Sequence, residues 1–274
     1  MNKIEQRWIR VGLIGYGTAG RDVAEGILKG NAGECELTKV LVRDSYRYSE
    51  NDLPEGILTD NVDDFFNAGH DVVIETAGHD AVRHYASKAL SKDCDFMVVS
   101  VGAFCDQTLL DNTLQLARQH GKRVIIPSAA IAGLDRLSAA TQGHVNNITL
   151  TTRKPVMAWR GTFAEESINL DSVTEPTLIF EGNARESSRL FPESVNVSAA
   201  LSLAGIGFES TTVRVLVDPT IEKNIHEVSA QGLFGEVHIE VKNTPSPGNP
   251  KTGYIVAMSI LSSLRNLSSP LVFS

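Results

Sequence analysis

A short apolar run that breaks into glycines constrains this chain more than anything else in it. Ile9 to Ile14 leads directly into Gly15-Tyr16-Gly17-Thr18-Ala19-Gly20, and Arg21 to Lys29 follows with Val23, Ile27 and Leu28 on one helical face. Three glycines at this spacing are a weak signal alone. Between a strand and a helix they have a physical meaning. Gly15 permits the tight turn, Gly17 removes the Cβ that would block a pyrophosphate, and Gly20 lets the helix pack close to the strand. The helix N-terminus then presents free N–H groups and a partial positive charge to phosphates. The spacing predicts a dinucleotide site over Gly15, Tyr16, Gly17, Thr18, Ala19 and Gly20.

The rest of the first half has the periodicity such a site requires. Leu37 to Val42, Asp71–Ala77, Phe96–Val101 and Arg123–Ile126 read as strands, with helical patterns over His79–Leu90 and Asp106–His120 and a helix-ending glycine at Gly121. Continuous apolar strands alternating with helices predict a parallel sheet covered on both faces. Ligands in such sheets lie beyond the carboxyl ends of the strands. That places Ala77 and Gly78 at the cofactor, with Ser100-Val101-Gly102-Ala103 beside them. His79 reads as the first residue of a helix, without a chemical role. The second strand ends Val42-Arg43-Asp44. Asp44 offers acceptors to ribose hydroxyls, which favours NAD. Arg43 can stack on adenine or pair with a 2′-phosphate, which favours NADP. Both cofactors stay open.

At 274 residues the chain has room for about two domains. A net charge of −8 argues against a nucleic-acid or anionic-membrane partner, so an anionic ligand must be met by local features. Cys35, Cys94 and Cys105 are odd in number and widely spaced, which suggests neither a disulfide framework nor a metal site. There is no apolar run of membrane-spanning length and no secretory h-region near the start, so a soluble, cytoplasmic protein is expected.

After Pro127 the pattern changes. Ser128 to Asp135 is rich in small residues and leads into a helix. Strand-like stretches follow at Ile148–Arg153, Thr177–Phe180, Val213–Val217, His226–Ala230 and Val237–Val241, with helical patterns at Asn183–Leu190 and Ser194–Ala204. Val237, Ile239 and Val241 alternate with His238 and Glu240, the mark of a half-solvated antiparallel strand. Asn243–Pro250 reads as a Pro/Gly linker, and Gly253 to Leu267 as an amphipathic helix. The predicted fold is α/β: a Rossmann-type parallel-sheet domain plus a second α+β domain with an open, mostly antiparallel sheet. The first comprises residues 1–127 with a returning C-terminal helix at about 251–274. The second, 128–250, is the expected catalytic and dimerisation domain. An open sheet face gives a homodimer as the expected assembly.

The stretches GLIGYGTAG, ETAGHDAV, PSAAIAGLDRL, TTRKP, FPESVNVSAALSLAG, NIHEV and NPKT together resemble the L-aspartate dehydrogenase family, NAD(P)-dependent enzymes with a Rossmann domain and a separate catalytic domain. The resemblance implies that His226 in NIHEV is the catalytic histidine. It implies that Ala130 contacts the cofactor through its backbone amide and that Asn196 binds the nicotinamide end. It implies oxidation of L-aspartate to iminoaspartate, which hydrolyses to oxaloacetate and ammonia, with NAD biosynthesis as a context. Two carboxylates on the substrate require cations or N–H donors, for which Arg153, Lys154 and Lys251 are the candidates. The chain departs from the family pattern at Ala129, where glycine is frequent, and at Gly253, where a hydroxyl residue is frequent. Two alternatives stand beside this reading. One is a related reductase acting on aspartate semialdehyde, homoserine or dihydrodipicolinate. The other is a nucleotide-binding regulator without turnover.

Overall fold

The computed structural model describes residues 8–49, 53–192, 194–246 and 249–273, the side chains of 249–252 excepted. The chain divides into two compact units, one of residues up to Pro127 with Ala257 onward, the other Ser128–Val256.

The first unit is a six-stranded parallel sheet. Its elements run β1 (Ile9–Ile14), α1 (Thr18–Leu28), β2 (Cys35–Leu41), β3 (Leu58–Thr59), α2 (Val62–Asn67), β4 (Val72–Glu75), α3 (His79–Ser91), β5 (Asp95–Val98), α4 (Gln107–His120) and β6 (Val124–Ile125). The spatial order is β3-β2-β1-β4-β5-β6, so the direction of winding reverses between β1 and β4. That reversal opens a crevice at the carboxyl ends of β1 and β4. Val11, Leu13, Val72, Val73, Ile74, Phe96, Met97 and Val98 are all buried, which explains why these strands read as unbroken apolar runs. Gly121 closes α4 in the left-handed region at φ 62°. Strand β3 and helix α2 were not evident in the sequence. Asn61 caps α2 by accepting from the amides of Asp63 and Asp64.

Within this unit His70 is a buried bolt. Its ring meets Thr38 Oγ1 at 2.7 Å and the Phe65 carbonyl at 2.8 Å. It lies where a Cβ on Gly12 of β1 would stand, 2.7 Å away. Burial pushes its pKa down to about 4. The same burial raises the Cys35 and Cys94 thiols to about 11, which makes them small core residues rather than nucleophiles.

The second unit contains α5 (Leu134–Ala140), β7 (Val145–Lys154), α6 (Phe163–Ser167), β8 (Thr177–Asn183), α7 (Ala184–Leu190), α8 (Val195–Ala204), β9 (Thr211–Val217), β10 (Asn224–Gly232) and β11 (Gly235–Asn243). Its five strands are ordered β11-β10-β7-β9-β8. All neighbours are antiparallel except β7 and β9. Alternation puts Ile148, Leu150, Thr152 and Lys154 of β7 on the buried face with Val213, Val215 and Val217 of β9 and His226, Val228 and Ala230 of β10. The opposite face carries part-exposed or exposed residues such as Thr149, Thr151, Arg214, Glu227 and His238.

The segment taken as a linker is not simply one. Pro245–Ser246 (β12) and Asn249–Gly253 (β13) form a short antiparallel pair before the last helix, α9 (Ile255–Ser268). Proline is tolerated there because a two-stranded ribbon has free edges. Later in α9, Leu261 packs on Gly26 of α1 so closely that a Cβ at Gly26 would stand 2.4 Å from it.

Candidate functional site

The parallel-sheet unit holds a cleft made of backbone. Gly15 turns the chain at φ 97°, and a Cβ there would press on Ala77 at 2.8 Å. A Cβ on Gly20 would stand 2.2 Å from the Gly15 carbonyl, so only glycine lets α1 start this close to β1. A Cβ on Gly17 would meet nothing within 4 Å. Gly17 is therefore spared a side chain for the sake of open space, which is the cradle a pyrophosphate needs. Helix α1 begins at Thr18 with no acidic residue in its first turn, so its N-terminal N–H groups keep their positive potential.

A cleft of about 1090 Å³ extends from these glycines. Gly15, Tyr16 and Gly17 line it with Arg43, Asp44, Ala77 and Gly78, and Arg47, Tyr48 and His79 join them. Tyr16 and Tyr48 meet edge to face at 5.4 Å, with the Arg21 guanidinium 4.8 Å over the Tyr16 ring. Asp44 accepts from the Tyr46 amide and lies 3.4 Å from Arg47. Its carboxylate thus has cationic company at the end of β2, and Arg43 is exposed beside it. Volume, glycine cradle and polar rim all suit a dinucleotide. Thr18 and Ala19, part-exposed, form the first turn of α1.

The mixed-sheet unit holds a cluster made of side chains. His226 on β10 lies opposite Thr152 on β7, and its Nδ1 hydrogen-bonds Thr152 Oγ1 at 3.1 Å. The imidazole is only 5 % exposed. Burial, and then the nearby Lys154 charge, lower its pKa to about 4. It is neutral at physiological pH, with Nε2 carrying no hydrogen bond to any described residue. Lys154 shares this face and is itself 7 % exposed. Its ammonium lies 4.8 Å over the ring of Trp159, and the Trp159 indole donates to the Lys154 carbonyl at 3.3 Å. A neutral imidazole and a buried cation thus share one face of adjacent strands.

Arg153 does not join them. Strand alternation turns it to the other face, where its Nε donates to Asp218 at 2.9 Å and its Nη1 to Glu227 at 2.9 Å. Asp218 is fully buried, so this guanidinium serves to neutralise it. Ala130 is part-exposed, and its carbonyl accepts from Asn243 Nδ2 at 2.9 Å. Asn196 is exposed in the first turn of α8. Lys251 lies on β13, and its side chain is outside the described residues. Thr152 escaped sequence reasoning because its contact with His226 spans 74 positions, and Trp159 because a lone tryptophan five residues after Lys154 forms no periodic pattern. Among the described residues no three His, Cys, Asp or Glu side chains are grouped to hold a metal ion.

The departure at Ala129 has a physical expression. This residue stands at φ 50°, in the region glycine occupies freely and alanine does not. At Gly253 a Cβ would meet nothing closer than Asn243 Cβ at 3.4 Å, so a hydroxyl residue would fit there.

Comparison with known proteins relates both units to one family. Residues 135–267 match the family model described as aspartate dehydrogenase, C-terminal, and residues 15–127 match homoserine dehydrogenase, NAD binding domain. The L-aspartate dehydrogenase of Methanocella arvoryzae is 40 % identical over 269 residues, covering 96 % of this chain and 98 % of that one. The chain belongs to the L-aspartate dehydrogenase family. A family member from Ralstonia pickettii is 37 % identical over 94 % of this chain and 97 % of its own. The crystal structure of the Thermotoga maritima aspartate dehydrogenase superposes with a TM-score of 0.78 at 27 % identity, covering 98 % of this chain and all of that one. The family thus accounts for both the parallel-sheet unit and the mixed-sheet unit. Among the described residues no helix is long and apolar enough to cross a membrane.

Proposed function

We propose that this protein oxidises L-aspartate with NAD or NADP. The products are iminoaspartate, the reduced cofactor and a proton, and water then converts the imine to oxaloacetate and ammonia. The observation that carries this reading is His226: a buried, neutral imidazole with an unengaged Nε2, on the same face as a buried lysine. Bound nicotinamide supplies the hydride acceptor for the substrate α-hydrogen.

The chain's own groups do the rest. Thr152 fixes the imidazole through Nδ1, so Nε2 takes the proton from the substrate ammonium. Lys154 holds a substrate carboxylate. A substrate carboxylate this close raises the proton affinity of the imidazole toward the range useful to a base. The same imidazole then activates water for imine hydrolysis. Gly15 to Gly20, Ala77, Gly78, Arg43 and Asp44 form the cofactor's seat on the first unit, and the resemblance adds Ala130 and Asn196 to the cofactor contacts. Arg153 is assigned to its two carboxylate partners and not to substrate.

The family supports a cytoplasmic enzyme working on a small molecule. The part-exposed face of the mixed sheet supports a homodimer, which light scattering tests. The family resemblance adds pyridine nucleotide synthesis as the context in which iminoaspartate is used.

The deciding experiment is a set of initial rates with L-aspartate, homoserine and aspartate semialdehyde against NAD and NADP, for the native chain and for His226→Ala. Turnover of aspartate that falls about 10²- to 10⁴-fold in the variant, with NADH still bound, is the expected result. Native-like turnover in the variant, or activity on another substrate but none on aspartate, refutes the proposal.

A further inference from the structure

Glu75 ends the central strand β4 and is fully buried, yet the chemistry above does not use it. Its carboxylate collects four donors from two separate turns. Oε1 accepts from the amides of Ala77 and Gly78, both at 2.7 Å, and from Ser100 Oγ at 2.9 Å. Oε2 accepts from the Ser100 amide at 3.0 Å. A buried carboxylate is costly unless its lone pairs are filled, and here both oxygens are served.

What these bonds hold in place is the cofactor cleft. Ala77 and Gly78 line it directly. Thr76, between them and Glu75, reaches back through Oγ1 to the carbonyls of Ile14 and Gly15, both at 3.1 Å. Ala77 fills the space beside Gly15, where a Cβ would stand 2.8 Å from the alanine methyl. Gly78 takes φ 114° and leaves the space at its Cβ position open for at least 4 Å. The glycine turn after β1 and the turn after β4 therefore rest on one another. Glu75 fixes the second of these and ties it to the Ser100 turn after β5.

We infer that Glu75 is a positioning residue for dinucleotide binding: its buried carboxylate sets the Thr76–Gly78 turn against the glycine loop and so shapes the pyrophosphate end of the cleft. This deepens the cofactor assignment above and rests on it. The residue touches no reacting atom, so its removal acts on cofactor affinity ahead of the chemical step. In Glu75→Gln one oxygen becomes an NH₂ group facing an N–H donor, and the two cannot satisfy each other.

The test is fluorescence titration of NADH into the native chain and into Glu75→Gln, Glu75→Asp and Ser100→Ala, with steady-state rates alongside. The expected result is an NADH Kd raised about 10-fold or more in Glu75→Gln, with the loss in KM for NAD rather than for aspartate. Glu75→Asp should recover part of it. Ser100→Ala, which removes one donor and spares the carboxylate, should raise Kd about 3-fold. A folded Glu75→Gln that binds NADH as the native chain does overturns the inference. If Glu75→Gln does not fold, native-like Kd values in both other variants overturn it. A native chain that fails to bind NADH refutes the cofactor assignment itself, and the inference with it.

Discussion

The cleft of the parallel-sheet unit and the histidine cluster of the mixed-sheet unit are built from different materials. The dinucleotide cleft is largely backbone: glycines that admit a ligand, amides at a helix start, and a turn held by a buried carboxylate. The mixed-sheet site is side chains on adjacent strands: His226, Thr152 and Lys154, presented by register. A backbone-built site dictates residue type over a few consecutive positions, so it is visible in sequence and intolerant of any side chain. A side-chain site is assembled across strands from residues far apart in the chain, and its parts can be altered one at a time with graded effects.

The sharpest way to break this contrast is Gly17→Val. The new side chain meets no protein atom within 4 Å of its Cβ, so melting temperature should stay within about 2 °C of native. NADH binding should weaken by about 100-fold or more, because the branched side chain fills the cradle. Equal losses of stability and binding would mean that the glycine serves the fold instead.

Lys154→Met is the matching change in the second unit. It keeps the volume while removing the charge and its cation–π contact with Trp159. KM for L-aspartate should rise about 10-fold or more, and the NADH Kd should hold. An unaltered KM would remove Lys154 from the substrate site.

Acid titration involves both units. His70 and His226 each have a folded pKa near 4, below the ordinary value of 6.5. Protons therefore favour the unfolded chain. The contribution of each is complete above about pH 6.5 and is lost as pH falls toward 4. Melting curves of native protein and His70→Gln across that window should converge as pH drops. Parallel curves would show that His70 titrates normally.

The parallel sheet was legible because its buried strands are unbroken apolar runs between helices, and the glycines fixed the cofactor end. Strand β3 and helix α2 were missed because one is two residues long and the other six, too short for a periodic signal. His226 was distinguished from the other histidines only by family resemblance. Nothing in Asn-Ile-His-Glu reveals that Thr152 stands opposite across the ladder. Arg153 and Lys154 looked equivalent in sequence, and strand alternation gave them opposite faces and different partners.

Ala129 bears on how this chain drifts over generations. At φ 50° each added side-chain atom increases the crowding against the backbone, except where a short polar group can bond locally. The position is thus a narrow gate for sequence change. Glycine passes with relief of strain, asparagine or aspartate at modest cost, and β-branched residues hardly at all. Alanine here is one substitution from the relaxed state that glycine provides.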